Sequence, residues 1–334
     1  MAEKKEIQDL PDLNQMSTTT TYDLVWLNTT RLIERFWDQR HRKEFNFFDI
    51  AELYHENTKF RRYQAFQITL SGDVFMGQPP VIEATTRIFK EYPHKPRIKL
   101  PLEDLALNKP LDETMLLRRS SRDYTGEPIT VKDLSKLLYY TNGITARFDY
   151  KERFTGKVLR QFLRASASGG ALYPIEIYVG VINVTGMEPG IYHYNVYEHS
   201  LEALKVDKDF PSIFPDAFPI HPETVPVDKS AVVLILSAMF ERSKAKYGPR
   251  SYRYILQESG HIAQNAYLVA TACELGTVAV AGFYDDDIDE WLGVDGVDET
   301  AVYTIVIGKA RPSPALVPIN PENFTAGVKS LFEE

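Results

Sequence analysis

The spacing of apolar residues along the chain predicts a series of strands and helices that interleave without strict alternation. Five segments are rich in β-branched and aromatic residues and are predicted to be strands, at 175–182, 190–195, 231–238, 277–283 and 301–308. A helical period runs from about Ser251 to Leu275 and ends at Gly276. Thr130 and Asp133 have the spacing of a capping box, which predicts a second helix start. This order favours an α+β sandwich over a doubly wound parallel sheet.

The two ends of the chain differ from its middle. Apolar residues have helical spacing over 20–48, and three prolines within 91–103 predict a connector. We therefore divide the chain into an N-terminal helical extension over 1–100, a main domain over 101–310 and an extended, proline-rich C-terminal arm over 311–334.

Composition and charge exclude several classes of partner. The chain has 38 lysines and arginines against 46 acidic residues, a net charge of −8, which argues against nucleic-acid binding. Its single cysteine, Cys273, cannot form an internal disulfide or a thiolate zinc site, and it suits a reducing compartment. The longest apolar stretch, 231–240, is shorter than the roughly 20 residues that span a bilayer. No apolar signal segment follows the N-terminal charges, so we expect a cytoplasmic protein without membrane contact.

Common nucleotide and metal motifs do not occur in this sequence. No G-x-G-x-x-G follows a strand, there is no P-loop, and the seven histidines show no H-E-x-x-H or other ligand spacing. The S-x-x-K at 243–246 lacks the S-D-N and K-T-G partners of penicillin-binding enzymes. We therefore expect no metal site and no serine nucleophile of that class.

Two short segments carry candidate binding chemistry. In "LRRSSRDYTG", 117–126, three arginines and two serines suit a phosphate monoester, although a solvated, salt-bridged surface near Asp123 explains them equally well. In "RASASGGALYPIE", 164–176, small residues leave room for a flat ligand against the backbone, although an ordinary turn has the same composition.

Two further sets of polar residues allow either a structural or a chemical role. His261, Gln264 and Asn265 lie on the long, mostly apolar helix. In one interpretation they form satisfied hydrogen bonds in the core. In the other, Gln264 faces a cofactor. Lys246 and Tyr247, within "SKAKYG", belong to a solvated loop or form a proton-handling pair. Adjacent helical residues point about 100° apart, so we expect both to face one site only from a loop or a first helical turn.

Taken in order, these segments resemble the SagB-type dehydrogenases, the nitroreductase-like FMN family that includes the McbC-type azoline oxidases. The resemblance covers roughly 105–310 and includes "GIYHYN", "KYGPRSYRYILQESGHIAQN" and "AVAGFYDDDIDEWLGVD"; "YHENTK" at 54–59 also resembles an N-terminal segment of such chains. It implies an α+β sandwich in which helices flank a central, mainly antiparallel sheet. It also implies a homodimer that holds FMN in the subunit interface.

The resemblance also implies which residues form the site. Lys246 and Tyr247 match the pair that serves azoline oxidases as a base. Lys309 stands where many relatives have arginine, and the small-residue loop departs from the commonest P-S-A-G form. The residues implied to hold FMN are Arg118, Arg119, Ser120 and Arg122 at the phosphate and ribityl chain, Ser166, Ser168, Gly169 and Gly170 beside the ring, Gln264 on the long helix, Ala281 and Gly282 near N5, and Lys309.

The expected activity is the FMN-dependent oxidation of thiazoline or oxazoline rings in a modified peptide to thiazole or oxazole. A partner cyclodehydratase would build these rings, and residues 1–100 would help to dock it or the peptide. Two alternatives stay open: an NAD(P)H-dependent reductase of nitro compounds, quinones or enones, and a non-catalytic FMN-bound scaffold subunit. The sequence also leaves open the ring type, the electron acceptor and whether the pathway is ribosomal or carrier-bound. It does not decide which of Lys246 and Tyr247 is the base, because a neighbouring ammonium favours tyrosinate whereas desolvation favours neutral lysine.

Overall fold

The computed structural model describes residues 50–59, 78–86, 88–152 and 155–312. The chain divides into two compact units, Met1–Ala65 and Phe66–Glu334. In the first unit, helix α1 is Ile50–Asn57. The helix expected over 20–48 and nearly all of the C-terminal arm lie outside the described residues. The division at residues 100 and 310 therefore stays a prediction.

The second unit contains all the strands that the structure describes. Its helices are α2 Pro79–Thr85, α3 Leu111–Leu117, α4 Val131–Asn142, α5 Phe210–Ile213, α6 Phe240–Tyr247, α7 Ser251–Ala272 and α8 Asp285–Leu292. Its strands are β1 Arg97–Lys99, β2 Ile144–Lys151, β3 Val158–Arg164, β4 Ile175–Val181, β5 Gly190–Asn195, β6 Ser200–Val206, β7 Val232–Met239, β8 Gly276–Val280 and β9 Glu299–Gly308.

Seven of these strands form one central sheet in the order β1-β6-β5-β4-β7-β9-β8. Every neighbouring pair is antiparallel, and β2 and β3 form a separate antiparallel hairpin. Helices flank the sheet, so the predicted α+β sandwich with a central antiparallel sheet is confirmed. Strand β4, the middle strand of the sheet, is buried along its whole length, in agreement with a sequence that is apolar except for Glu176.

The two faces of the sheet carry separate clusters of apolar side chains. Ile177 and Val179 of β4 point toward the face that is covered by α4 and α7. Tyr178, which lies between them in sequence, points to the opposite face, where it joins Phe210 and Phe214. Buried residues recur every three or four positions along α7, so one stripe of this long helix packs against the sheet.

The five predicted strands are confirmed within a few residues, and four further strands were not predicted. Strand β1 lies inside the proline-containing stretch 91–103, where it pairs with β6. Most residues of β2 are exposed, so no hydrophobic pattern marks it. The capping box at Thr130 and Asp133 is present and begins α4. None of the described helices is both long and apolar enough to cross a membrane.

Candidate functional site

Helix α7 fixes the small-residue loop that follows β3. The side-chain amide of Asn265 donates to the carbonyl oxygens of Thr141, at 3.2 Å, and Ala165, at 3.4 Å. One turn earlier, His261 Nδ1 lies 3.3 Å from the carbonyl oxygen of Ala167. Asn265 is therefore the satisfied polar contact expected on this helix, and it joins the end of α4 to the start of the loop.

Hydrogen bonds inside the loop give it a defined shape. The buried Ser166 hydroxyl donates to Asn142 Oδ1 at 2.5 Å. The Ser168 hydroxyl accepts from the backbone N–H of Tyr173 at 2.9 Å. Gly170 has a φ of +68°, a conformation that favours glycine, and both Gly169 and Gly170 are exposed. The loop thus presents a backbone surface without side chains, as predicted for the approach of a flat ligand.

The Lys246–Tyr247 pair contacts this glycine surface. A β-carbon at Gly170 would lie 2.7 Å from Tyr247 Oη and 2.8 Å from Lys246 Nζ, and one at Gly169 would lie 3.8 Å from the Tyr247 ring. The Lys246 ammonium nitrogen is also 5.3 Å from the centre of the Tyr247 ring. Both polar ends of the pair therefore reach one point above the loop.

The expectation that the pair occupies a loop or a first helical turn was wrong. Lys246 and Tyr247 form the last turn of α6, and Gly248, with a φ of +56°, follows Tyr247. The two residues still face one site because the long, flexible lysine side chain bends back across the tyrosine ring. The Tyr247 ring also meets Tyr254, near the start of α7.

Burial favours the neutral form of both members of the pair. It lowers the pKa of Lys246 below the usual lysine value. It raises the pKa of Tyr247, and the neighbouring Tyr254 adds to this increase. The two tyrosine rings meet edge to face with their centres 5.0 Å apart, and Arg250 Nε donates to the Tyr254 hydroxyl at 3.2 Å.

A second cluster forms around Tyr267, nearer the end of α7. The Arg118 guanidinium lies 5.4 Å from the centre of the Tyr267 ring, and the Ser120 hydroxyl is 3.1 Å from the Tyr267 hydroxyl. The backbone N–H of Ala279 donates to the same Tyr267 oxygen at 2.8 Å. Tyr267 therefore joins the arginine-rich segment to strand β8.

The predicted cations have different surroundings. Arg119 donates to the carbonyl oxygens of Leu116 and Arg118, at 2.9 and 2.6 Å, so it closes the end of α3. Lys309 Nζ is 3.4 Å from a carboxylate oxygen of Glu127. Within the described residues, neither Arg118 nor Arg122 lies at ion-pair distance from a carboxylate.

The salt-bridged surface that was considered near Asp123 does form, but with a different arginine. Asp123 pairs with Arg311, whose Nη1 lies 2.7 Å from the carboxylate. Asp123 therefore does not neutralise the cluster of arginines that precedes it. Because the protein is acidic overall, Arg118 and Arg122 are suited to an anion such as a phosphate.

The two clusters lie along the same helix. Glu258, beside the glycine loop, and Tyr267 are nine residues apart, which corresponds to about 14 Å along α7. Gln264 is exposed on the helix between them, rather than buried as a core contact. At the end of β8, Ala281 and Gly282 are also exposed, and a β-carbon on Gly282 would meet no atom within 4 Å. A flat ring with a phosphate at its other end, such as FMN, fits this arrangement of residues.

Several residues at the site were not singled out from the sequence, among them Tyr267, which joins Ser120 to strand β8. Asn142 and Tyr173 hold the loop, and their roles depend on contacts between distant segments. Glu258 occupies a position on the apolar stripe of α7, where it is buried. A carboxylate at such a position requires partners, and this was the available signal. Among the described residues, no group of three or more histidine, cysteine or acidic side chains is placed to hold a metal ion.

Comparison with known proteins identifies the family. The Nitroreductase family model matches residues 116–309. The chain belongs to the nitroreductase family. The match includes β2 to β9, the glycine loop, the Lys246–Tyr247 pair and α7. Proteins of this family are oxidoreductases that typically bind flavin.

Individual relatives agree with this assignment. A protein of Methanocaldococcus jannaschii named as a nitroreductase is 35% identical over 184 residues, which are 55% of this chain and 84% of the relative. The microcin B17-processing protein McbC of Escherichia coli is 31% identical over 136 residues, 40% of this chain and 49% of McbC. A crystal structure described as a nitroreductase from Anabaena variabilis is 25% identical with a TM-score of 0.59, covering 78% of this chain and 46% of that one.

These matches confirm the resemblance to the SagB- and McbC-like members of the family. The matches cover different shares of the relatives' lengths. The chain spans most of the archaeal relative, but only about half the length of McbC and of the Anabaena protein.

Proposed function

We propose that this chain is an FMN-dependent dehydrogenase that oxidises thiazoline or oxazoline rings of a modified peptide to thiazole or oxazole. The observation that supports this function most directly is the contact of Lys246 and Tyr247 with Gly170. Their polar atoms would lie 2.8 and 2.7 Å from a β-carbon at that glycine. Oxidation of an azoline removes a hydride from one ring carbon and a proton from its neighbour, so the site needs a base beside the electron acceptor. The pair at Gly170 supplies that base.

The residues that would hold FMN fall into the two clusters along α7. Arg118 and Arg122 would bind its phosphate, and Gly169 and Gly170 would lie beside its ring. When bound, FMN supplies a two-electron acceptor for the hydride that leaves the ring carbon. The polar side chains Ser120 and Gln264 would line the space between the two ends.

Lys246 is the member of the pair that we assign as the base. Burial lowers its pKa, so a larger fraction of the amine is neutral and able to take a proton at a given pH. Burial raises the pKa of Tyr247, which makes tyrosinate less available. Tyr247 would instead position the lysine nitrogen, since their side chains are in contact at the loop. The proton of the ring carbon passes to Lys246 Nζ as the ring becomes aromatic.

The proposal extends to the assembly of the protein. We propose a homodimer, with the exposed side of α7 around Gly260 and Gln264 at the subunit interface, and an azoline-containing peptide as substrate. The relationship to McbC, a microcin B17-processing protein, supports a peptide substrate. A cyclodehydratase would act before this enzyme, because it makes the azoline rings. The N-terminal 100 residues would dock that partner or the peptide.

An anaerobic flavin assay tests the proposed activity. The purified protein, supplied with FMN, is mixed with a thiazoline-containing peptide, and the visible flavin band is followed together with the peptide mass. We expect the band to bleach and the peptide to lose two daltons. A matched peptide that already carries the thiazole should leave the band unchanged. A protein that cannot be loaded with FMN, or a band that persists with the azoline, contradicts the proposal.

A reductase is the second candidate, because the archaeal relative is named as a nitroreductase. In that case NAD(P)H bleaches the flavin, the azoline peptide does not, and the electrons pass to a nitro compound, quinone or enone. Transfer of a hydride to such acceptors requires no dedicated base. The same anaerobic assay with NAD(P)H separates the two activities, and a protein that binds FMN but reacts with neither would be a scaffold subunit.

A further inference from the structure

Helix α6, which ends in the Lys246–Tyr247 pair, runs beside the small-residue loop in the opposite chain direction. Just before the helix, the backbone N–H of Met239 donates to the carbonyl oxygen of Pro174 at 2.8 Å, where the loop enters β4. At the other end of the helix, the pair reaches Gly170. The position of the pair above the loop therefore depends on how the helix is held between these two points.

Arg242 joins the helix to the loop between these two points. Its Nη1 donates to the carbonyl oxygen of Tyr173 at 2.8 Å and forms an ion pair with Glu176, the second residue of β4. The side chains of this ion pair are 14% and 2% exposed, so salt and water screen it little. Arg242 and Lys246 are four residues apart and therefore lie on the same face of α6. The guanidinium thus fixes the helix face from which Lys246 projects.

The loop that Arg242 contacts has an unusual backbone. Two of its residues with side chains, Ala171 and Tyr173, have φ values of +54° and +42°, which such residues rarely adopt. These conformations persist only where surrounding contacts hold them. The N–H of Tyr173 donates to the Ser168 hydroxyl, and its own hydroxyl accepts from the Arg164 N–H at 3.0 Å. Its carbonyl oxygen is held by Arg242, so loss of that guanidinium would release the loop as well as the helix.

Arg242 is also one end of a row of alternating charges that crosses the sheet. Glu176 Oε2 lies 3.4 Å from His193 Nε2, and His193 Nδ1 lies 2.9 Å from Glu202. Glu202 in turn pairs at 2.9 Å with Arg97 of β1, at the edge of the sheet. The two arginines are therefore equivalent in charge, since each neutralises a buried carboxylate at one end of the row. Only Arg242 lies on the helix that carries the Lys246–Tyr247 pair.

We propose that Arg242 is a positioning residue, which holds Lys246 at the glycine loop by joining α6 to Tyr173 and Glu176. The inference rests on the proposed function, in which Lys246 is the base. Arg242 acts through Lys246 and touches neither the flavin nor the reacting atoms. Loss of its contacts should therefore move Lys246 Nζ away from the loop and slow proton transfer, whereas the affinities for peptide and FMN should change little.

The first test follows Lys246 in the full-length protein without added flavin. Lysines are acetylated with acetic anhydride at several pH values, and mass spectrometry gives the rate at each side chain. Only the neutral amine reacts, so the pH dependence gives its pKa. We expect Arg242→Ala to raise the lowered pKa of Lys246 toward the usual value of about 10.4, because the helix end opens to water. Lys244, exposed on the same helix, is the internal reference.

Arg97→Ala is the matched control for the labelling experiment. It removes the equivalent ion pair from the other end of the row, with Glu202, but leaves the contacts of α6 in place. We expect the pKa of Lys246 to stay at its wild-type value in this variant. An equal change of the Lys246 pKa in Arg97→Ala and Arg242→Ala would reflect only a general loss of stability and would overturn the positioning role.

The second test is a double-mutant cycle on anaerobic flavin reduction by a thiazoline peptide. We expect Arg242→Ala to lower the rate at saturating peptide by about ten- to a hundredfold, with little change in the half-saturating concentration. In Lys246→Ala, the same substitution should change the rate by less than about twofold, because residues that act as one unit are not additive. Arg242→Lys, which keeps a cation, should recover most of the rate. Multiplicative effects in the cycle would mean that Arg242 acts independently of Lys246.

The two tests separate this inference from the proposed function. If the wild-type protein carries FMN but the azoline peptide does not reduce it, the proposed function fails, and the labelling alone decides whether Arg242 positions Lys246. If Arg242→Ala does not fold, Arg242→Gln replaces it in both tests, because a neutral amide cannot form the ion pair with Glu176. An unchanged Lys246 pKa in that variant contradicts the proposal.

Discussion

Gly170 and Tyr247 lie so close together that no side chain fits between them. A β-carbon at Gly170 would stand 2.7 Å from the Tyr247 hydroxyl oxygen, less than the sum of their van der Waals radii. The absence of a side chain at this loop position therefore sets where the polar end of the Lys246–Tyr247 pair can lie. The loop after β3 and the end of α6 form one site, although 76 residues separate them in the sequence.

Gly170→Ala should displace the pair and slow catalysis. We expect kcat on an azoline peptide to fall by about a hundredfold, because small misplacements of a reacting group have effects of this size. Flavin content should be retained, since the arginine cluster is distant along α7. Gly186→Ala is the matched control: Gly186 also has a positive φ, +81°, but a β-carbon there meets no atom within 4 Å. Equal losses of activity in both variants would attribute the effect to backbone strain of about 1 kcal/mol or more instead.

Lys246→Ala should lower kcat more than Tyr247→Phe. Removal of a general base typically costs a factor of about 10²–10⁴, whereas loss of a positioning hydroxyl should cost about tenfold. Because the pKa of Lys246 is lowered and the neutral amine is the active form, the wild-type rate should increase with pH and level off below the usual lysine pKa of about 10.4. Steady-state kinetics across this range, with flavin content measured in parallel, give both results.

Lys244→Ala is the control for this comparison. Lys244 lies two residues away on α6, is exposed and pairs with Glu241 at 2.7 Å. It should leave both kcat and its pH dependence unchanged. Full activity of Lys246→Ala on the azoline peptide would show that the pair is only a structural feature of the helix end.

Most of the buried strands were predictable from the sequence because burial leaves a pattern, although β6, which is buried only in its first half, was missed. The predicted strand 190–195 coincides with β5, all of whose residues are buried. The hairpin strands β2 and β3 were missed because most of their outward residues are polar and exposed. Strand β1 has only three residues, and its pairing with β6 depends on tertiary structure.

The site was predictable in its segments but not in its contacts. The sequence does not distinguish the neighbouring arginines Arg118 and Arg119. In the structure, Arg119 turns back to the carbonyl oxygens at the end of α3, whereas Arg118 lies on the Tyr267 ring. The helix that carries Lys246 was missed because α6 is short and polar, and its end depends on the conformation of Gly248. Pairwise contacts between distant segments decide such details, and local patterns do not contain them.

His193 should make the stability of the sheet depend on pH. Its ring lies between two buried carboxylates, with Nδ1 2.9 Å from Glu202 and Nε2 3.4 Å from Glu176. Burial disfavours the charged imidazolium and by itself lowers the pKa of His193. The hydrogen bonds to Glu176 and Glu202 outweigh this effect, so the pKa is raised. The charged ring thus stabilises the fold fully below the ordinary histidine pKa of about 6.5, and this contribution is lost as the pH rises through the raised value.

His193→Gln should therefore lower the free energy of unfolding by about 1.5–3 kcal/mol at pH 6, because charge-assisted hydrogen bonds to Glu176 and Glu202 are lost. The two carboxylates keep their ion pairs with Arg242 and Arg97. The difference from wild type should shrink as the pH rises. Denaturant unfolding at several pH values measures it. His221→Gln, at a side chain that is 70% exposed, is the control and should change stability little. A difference that is constant with pH would mean that folding does not shift the pKa of His193.

Arg118→Ala should weaken the binding of FMN much more than that of riboflavin. The two flavins share the ring and the ribityl chain, and only FMN carries the phosphate. Loss of a charge-assisted hydrogen bond of about 1.5–3 kcal/mol should increase the FMN dissociation constant by about ten- to a hundredfold and leave that of riboflavin unchanged. Arg311→Ala is the matched control, since Arg311 is paired with Asp123 and should affect neither flavin. A similar loss of affinity for both flavins would instead assign Arg118 to the support of the Tyr267 ring, 5.4 Å from its guanidinium, and the phosphate would have to be bound elsewhere.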